Sequence, residues 1–558
     1  MILMLNNIDN LNNAVKDAFK ENGLDCNAMF LYSRYPELSD IQCNELLKNQ
    51  KIDSLNQLVN LVQKKLNDLE EVEQCVIKDD LFINVSLSDE FLAKQLVNNS
   101  EWAKAFDNSL KNSSTRNILF DYGGPNIGKA LHVGHLRSLS IGRSLYRMNK
   151  LVGNSVVSDI HLGDWGMPVA YMIALIEKDK IILENINYED IENIYPKAVA
   201  YAENNQEFYE VAKNIAFELN KGNQKYIKIW QDILSISTKY IRKTLTKLGY
   251  SFDEWKGESD VNKLIDPMII NLLKQEKIIK NDGALVANID VDPPIIIAKS
   301  DGSFLYITTD LATVIEREES NFDEVVYVVD NRQKKHFEQL FRCIEYFNLS
   351  KADFKHVGFG TINGKDGKPL KTRDGGVYKL DELYKDIEKE LVSSKTPGDS
   401  VSTLVNDILT FSDLLTNRNT DYKFDIEKFT DTNGKTAIYI EYAYVRGKKV
   451  LKDAETLAWD ESNKIVEFKI MNTIERELVI EILKFKSYLD LSILNNEPHH
   501  LADHVYTIAK KLNAFYENEK ILNLEYQKAK QKLFLLRYTL HVLFKGMYAL
   551  GIDPVEKI

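Results

Sequence analysis

The sequence predicts a multidomain α/β protein: a small α+β domain over residues 1–110, a parallel-sheet domain over 111–395 and an all-α helix bundle over 396–558. Three observations carry this reading. A buried-strand run from Asn117 ends in a Gly123–Gly124–Pro125 turn and passes into helical spacing. This is the strand–turn–helix unit with which parallel sheets hold phosphates. The segment before it combines helical spacing with one alternating strand, and the segment after residue 400 carries only apolar stripes at helical spacing.

The 558 residues allow three or four domains, each large enough to bury a core. Hydrophobic residues make up 44% and charged ones 28%, the proportions of an ordinary globular chain. No apolar run is long enough to span a bilayer, so no membrane partner is expected. The opening M-I-L-M-L-N-N-I-D-N lacks the basic segment and long apolar core of a signal peptide. Cys26, Cys43, Cys75 and Cys343 form no C-x-x-C, which argues against a zinc ribbon or a disulfide framework. A cytoplasmic protein without a structural metal is expected. The net charge of −12 confines any RNA contact to local patches and suits a cationic small substrate.

Taken in order, Leu11, Val15 and Phe19, then Leu55, Leu58, Val62 and Leu66, predict two helices, and Leu81, Ile83, Val85 and Leu87 predict a half-buried strand. In the central domain, Ile118, Leu119 and Phe120 predict a buried strand ending at Asp121, with a helix after Asn126. His132 and His135, three apart, project from one helix face, and Gly134 between them permits close approach of a ligand. Two imidazole donors at a helix start suit an oxyanion that gains charge during reaction, such as a triphosphate attacked at its α-phosphorus. Taken alone, H-x-x-H reads more often as a satisfied helix pair or as two metal ligands.

A second strand, Ser155–Ile160, leads into H-L-G-D-W-G (His161–Gly166), and a helical insertion follows over about 170–290. Tyr306 and Asp310 are four apart and share a face if a helix begins at Thr308. The strand Glu324–Asp330 then sets Gln333 and His336 just beyond its carboxyl end, where parallel sheets bind ligands. Gly360–Val377, with five glycines and four basic residues, predicts a cationic loop. Lys395–Ser400 is a linker by composition. Apolar stripes then run through Leu478, Ile482, Phe485 and Leu489, through Leu501, Val505, Ile508, Leu512 and Phe515, and through Leu533, Leu536, Leu540, Leu543, Met547 and Leu550.

The string P-N-I-G-K-A-L-H-V-G-H-L-R-S (Pro125–Ser138) resembles the HIGH signature of class I aminoacyl-tRNA synthetases in its arginyl form. The resemblance extends to Ser39–Leu47 and Leu81–Ser88 in the first domain. It also covers Ile440–Arg446, Leu512–Glu517 and the closing L-G-I-D-P-V-E-K-I. It implies a Rossmann-type class I catalytic domain with an insertion, a first domain that touches the tRNA elbow and an anticodon-binding helix bundle.

The activity it implies joins arginine to the terminal ribose of tRNA(Arg) through arginyl-adenylate, with ATP and Mg²⁺, in a monomer, with tRNA bound before activation. The site it implies places Gly128, His132, Gly134 and His135 on ATP. Asp121, Gly124, Asn126, Tyr306, Asp310 and Gln333 would hold arginine. Lys371 and Arg373 stand where the family carries K-M-S-K-S, and Lys129 resembles the lysine that compensates for a missing loop lysine.

The chemistry of that set agrees. A guanidinium presents five donors in a planar fork, so its pocket needs carboxylates and neutral acceptors. Asp310 and Asp121 supply charge; Gln333 and Tyr306 add hydrogen-bonding reach. The chain departs from the family at Gly123 and Gly124, where small polar residues are usual, at Tyr444, usually histidine, and at Ile558, usually methionine. One rival reading is a homologue that binds tRNA without charging it. Another is a dinucleotide oxidoreductase, which needs G-x-G-x-x-G where this chain has G-G-P-N-I-G-K.

Overall fold

The computed structural model describes residues 8–558 apart from positions 34, 52–53, 97–100, 184–185, 292, 365, 369, 371–377, 458–467 and 519. The chain divides into two compact units, residues 1–111 with 429–558, and residues 112–428.

In the first unit, β1 (Leu31–Tyr32), β2 (Ile41–Cys43), β3 (Val72–Ile77) and β4 (Ile83–Leu87) form an antiparallel sheet in the order β1-β2-β4-β3. The alternation in β4 buries Ile83, Val85 and Leu87, whereas Leu81 sits before the strand at φ 57°. Helices Asp9–Glu21 and Leu55–Asn67 bury Leu11, Val15, Phe19, Leu58, Val62 and Leu66. The long helices Thr473–Asn495, His499–Asn518 and Tyr526–Leu550 turn their three apolar stripes into one core. Sequence reading treats the two ends of the chain as separate domains, but here they pack together. Arg476 forks onto Asp40 at 3.0 and 2.8 Å and reaches Asp89 at 2.8 Å, and Trp102 stacks on Tyr538 at 5.0 Å. Contacts between residues hundreds of positions apart leave no trace in a local pattern.

The second unit is built on a parallel sheet of β5 (Asn117–Tyr122), β6 (Ser155–Leu162), β7 (Glu254–Gly257), β11 (Glu324–Val328) and β12 (Asp353–His356), ordered β12-β11-β5-β6-β7. Between them, β8 (Ile278–Asn281), β9 (Ala284–Ala287) and β10 (Ile296–Ala298) make a small antiparallel sheet. Chain order reverses between β5 and β11, and the crevice beyond the strand ends at such a reversal is where doubly wound sheets bind ligands. Both strands are buried almost throughout, which explains their continuous apolar runs.

Two expected boundaries shift. The inserted helices Met167–Asp179, Tyr188–Asn204 and Gln206–Asn220 share their own core, including Ile173, Ile191, Ile194 and Ile215. The chain then re-enters the main sheet at β7, well before residue 290. The helix Gly398–Leu414 stays with the catalytic unit, its Thr410 Oγ1 accepting from Arg143 at 2.6 Å. The segment 395–397 is therefore a turn between two helices inside this unit, with Gly398 already opening the second, and does not separate domains. Among the described residues, no helix is long and apolar enough to cross a membrane.

Candidate active site

At the end of β5 the chain turns through Gly123, at φ 93°, where any other residue would be strained. The Gly123 N–H donates to Ser138 Oγ at 2.7 Å, and that hydroxyl donates to the Val328 carbonyl at 2.6 Å. One serine thus ties the first turn to the end of β11 across the crevice. Gly124 is exposed at φ 29°, with the His161 carbonyl oxygen 3.8 Å from where a Cβ would stand, and it offers only backbone to a ligand.

The helix that follows begins at Val133, not just after Asn126. Gly128 stops it from starting earlier: its φ is 77°, and a Cβ there would lie 2.7 Å from Met172 Sδ. The buried Gly128 N–H is already donated to Ser237 Oγ at 3.2 Å, so it is not a free donor for ATP. Asn126 pairs with Gly163, where a Cβ would overlap the Asn126 amide oxygen.

His132 is the N-cap of the helix. Its Nδ1 accepts from the Gly134 N–H at 3.0 Å, and His135 Nδ1 accepts from the His132 N–H at 3.1 Å. An accepting Nδ1 puts the proton of a neutral imidazole on Nε2. Burial, then the neighbouring His132, push His135 down to about 3. Burial, then Lys129 and Arg332, also lower His132. Both rings, 4.1 Å apart, are neutral Nε2–H donors beside the open end of a helix. Gly134 makes this possible, because a Cβ there would press on the His132 ring at 2.8 Å.

Lys129 lies 4.4 Å over the ring of Tyr195 from the inserted helices. Lys371 and Arg373 lie outside the described residues. The segment after them is anchored to the histidine turn: the Val133 N–H donates to the Tyr378 carbonyl and the Leu380 N–H to the Leu131 carbonyl, each at 3.0 Å.

On the second half of the sheet, the helix Tyr306–Glu318 starts two residues before Thr308. Tyr306 is 67% exposed, and Asp310 is bonded to His336 Nε2 at 2.6 Å. Gln333 ends a single turn, Asn331–Gln333, just past β11 and is exposed. Beside this helix opens a cleft of 620 Å³ whose walls include Trp165, Glu258, Tyr306, Thr309 and His336.

Asp121 departs from its expected role. Its carboxylate is buried and meets Arg317 at 2.6 Å, and the same guanidinium nitrogen meets Asp159 at 2.6 Å. The chain's own arginine fills the place at Asp121, leaving no open carboxylate there for a substrate. Arg317 lies seven residues after Asp310, two helical turns on, which was the available sequence signal.

Sequence reading also passed over Glu258. It follows β7 at the carboxyl edge of the sheet and lines the cleft with Tyr306. Burial pushes its carboxyl up to about 7; His161 and the Trp165 N–H oppose the rise, while Asp310 and Asp164 add to it. A half-protonated carboxyl facing a cleft is poised to ionise when a cation enters.

Comparison with known proteins converges on one family. The family model for the catalytic domain of class I (R) tRNA synthetases matches residues 96–426, and the DALR anticodon binding domain matches residues 440–558. The arginine–tRNA ligase of Alkaliphilus oremlandii is 35% identical over 581 aligned positions covering 98% of each chain. That of Francisella tularensis is 34% identical over 507 positions, 86% of each. Among solved structures, Plasmodium falciparum arginyl-tRNA synthetase has the same fold, with a TM-score of 0.80 at 23% identity over all of both chains. The Thermus thermophilus enzyme gives 0.76 at 18%, over 98% of this chain and 99% of that one. A parallel sheet reversing at the histidine turn, a helical C-terminal part and full-length relatives of one kind agree: this chain belongs to the class I arginyl-tRNA synthetases.

Proposed function

We propose that the protein charges tRNA(Arg) with arginine, and that the guanidinium is read by Glu258 and Asp310 rather than by Asp121. The arginine carboxylate attacks the α-phosphorus of magnesium–ATP, forming the mixed anhydride arginyl-adenylate and releasing pyrophosphate. A hydroxyl of the terminal tRNA ribose then attacks the arginyl carbonyl and AMP leaves.

The observation that carries the reading is the fixed tautomer of the histidine pair. Two neutral Nε2–H groups, held from behind by backbone N–H donors, stabilise charge growing on phosphate oxygens without reorganising. Lys129 adds a cation at the same turn, and in the sequence Lys371 and Arg373 precede the Tyr378–Leu380 segment that pairs with it. The Asp121–Asp159–His161 cluster is taken by Arg317, so magnesium belongs with the incoming triphosphate.

Tyr306 and His336 line the amino-acid cleft, His336 holds Asp310 behind it, and Gln333, exposed just past β11, adds a neutral hydrogen-bonding group nearby in the chain. A cation entering beside Glu258 draws its carboxyl into the ionised form. Lysine cannot fill a planar fork and citrulline lacks the charge, so both are rejected. In the helical bundle, Arg446, Tyr516, Lys520 and Asn523 line a hollow of 270 Å³ with the cationic, aromatic and amide groups that suit an unstacked base. We assign it to anticodon contact.

Charging of a mixed tRNA pool with labelled amino acids tests this reading. Acid-labile label from arginine alone supports it. Retention of tRNA on the protein with no charging by any amino acid would favour a homologue that binds without catalysing.

A further inference from the structure

The Asp164–Trp165 dipeptide, in the turn after β6, is gripped from both sides. The Asp164 side chain, 2% exposed, accepts twice from one residue: the Ser259 N–H at 2.9 Å and the Ser259 hydroxyl at 2.6 Å. Gly257, one residue before Glu258, presses so closely on this carboxylate that a Cβ would lie 2.7 Å from Oδ2. The next backbone N–H, of Trp165, lies beside the Glu258 carboxylate and favours its charged form. Residues 257 and 259 therefore both rest on Asp164 of another loop, with Glu258 held between them.

That loop is in turn held by the inserted helices. Trp230, on the helix Gln224–Lys247, donates its indole N–H to the Asp164 carbonyl at 2.8 Å. Trp165 donates its own to Asn220 Oδ1 at 2.8 Å, and the two indoles meet edge to face at 5.0 Å. Trp165 and Glu258 both line the cleft. The inserted segment thus reaches the amino-acid pocket through a continuous set of directed contacts.

We propose that Asp164 is the positioning residue for Glu258, and that the inserted helices set the arginine pocket through Trp230 and the Asp164–Trp165 turn. This rests on the reading of Glu258 as a guanidinium-binding carboxylate. The physical basis is rotational. Glu258 opens a one-turn 3₁₀ segment, and a bidentate anchor on the adjacent residue fixes the backbone from which its carboxylate projects. Asp164 touches no substrate, so its effect must appear in arginine KM, with ATP KM unmoved and kcat nearly so.

The test is a double-mutant cycle read by pyrophosphate exchange in the presence of tRNA, on full-length enzyme checked by circular dichroism. Glu258→Gln is expected to raise arginine KM about tenfold or more. Asp164→Ala should raise it comparably, and Ser259→Ala, which keeps the Asp164 bond to the backbone N–H, should raise it less. In the Glu258→Gln background, Asp164→Ala should add less than about twofold, because the group it positions is already disabled. Trp230→Phe, which removes the indole N–H and shrinks the ring that meets Trp165, should raise arginine KM by about twofold to fivefold with ATP KM unchanged.

The proposal is overturned if Asp164→Ala raises arginine KM by the same factor in both backgrounds, or leaves it unchanged in a folded enzyme. Should Asp164→Ala fail to fold, Ser259→Ala and Trp230→Phe carry the same comparison. An unchanged arginine KM in Glu258→Gln would instead remove the guanidinium reading underneath, and the proposal with it.

Discussion

Asp121 and Arg317 meet at 2.6 Å beneath the crevice, and this contact determines which carboxylates remain to read an incoming cation. Arg317 is almost fully buried and shared with Asp159, so removing one carboxylate leaves a buried guanidinium half-compensated. Asp121→Asn should lower unfolding free energy by about 3 kcal/mol, measured by urea denaturation, while arginine KM changes little. Raised arginine KM without lost stability would return Asp121 to the substrate pocket.

His132→Ala or His135→Ala should slow arginyl-adenylate formation by about a hundredfold to a thousandfold, the effect of one lost donor to a developing oxyanion. tRNA affinity should be unchanged. Because burial lowers both imidazoles from their ordinary range, both rings are neutral above neutral pH and the histidine pair should add no pH dependence to that rate there. Stopped-flow or quench-flow single turnovers give the rate. Survival of wild-type rates in both variants would refute the phosphate assignment.

Asp310→Asn keeps the shape of the side chain and its contact with His336 but removes a charge. Arginine affinity by calorimetry should fall about tenfold to a hundredfold, with ATP affinity unaltered. Discrimination against citrulline should shrink in step, since that analogue lacks the charge Asp310 reads.

A pH signature belongs to Glu258. In the free enzyme its carboxyl is raised to about 7, and the guanidinium needs the ionised form. The sign follows: arginine KM should be flat above that pH and rise as pH falls through it, approaching about tenfold per unit. Arginine binding near about pH 6 should therefore release a proton, detectable as buffer-dependent heat. Glu258→Gln should remove this limb of the profile. A limb that persists in the variant would assign it to His161 or to another group.

Much of this could be read from the chain, for identifiable reasons. The β5 run, the glycine turn and the three helical stripes are dense local patterns, and burial bears them out at Leu119, Phe120, Phe485 and Leu543. β7 was not legible, because Glu254–Gly257 is a four-residue edge strand with no apolar run. Glu258 was missed with it, since its meaning depends on standing at a strand end. Asp121 misled for a different reason. A carboxylate at a sheet edge looks available until the helix carrying Asp310 is folded and Arg317 reaches it. The helix start was displaced by Gly128, whose positive φ shows only in three dimensions.

The most direct test of the account is pyrophosphate exchange with each of the twenty amino acids in turn, with and without tRNA. The account predicts exchange with arginine and with no other amino acid, increased by tRNA and lost in a Glu258→Gln, Asp310→Asn double variant. Exchange supported by a different amino acid, or undiminished arginine exchange in the double variant, would contradict it.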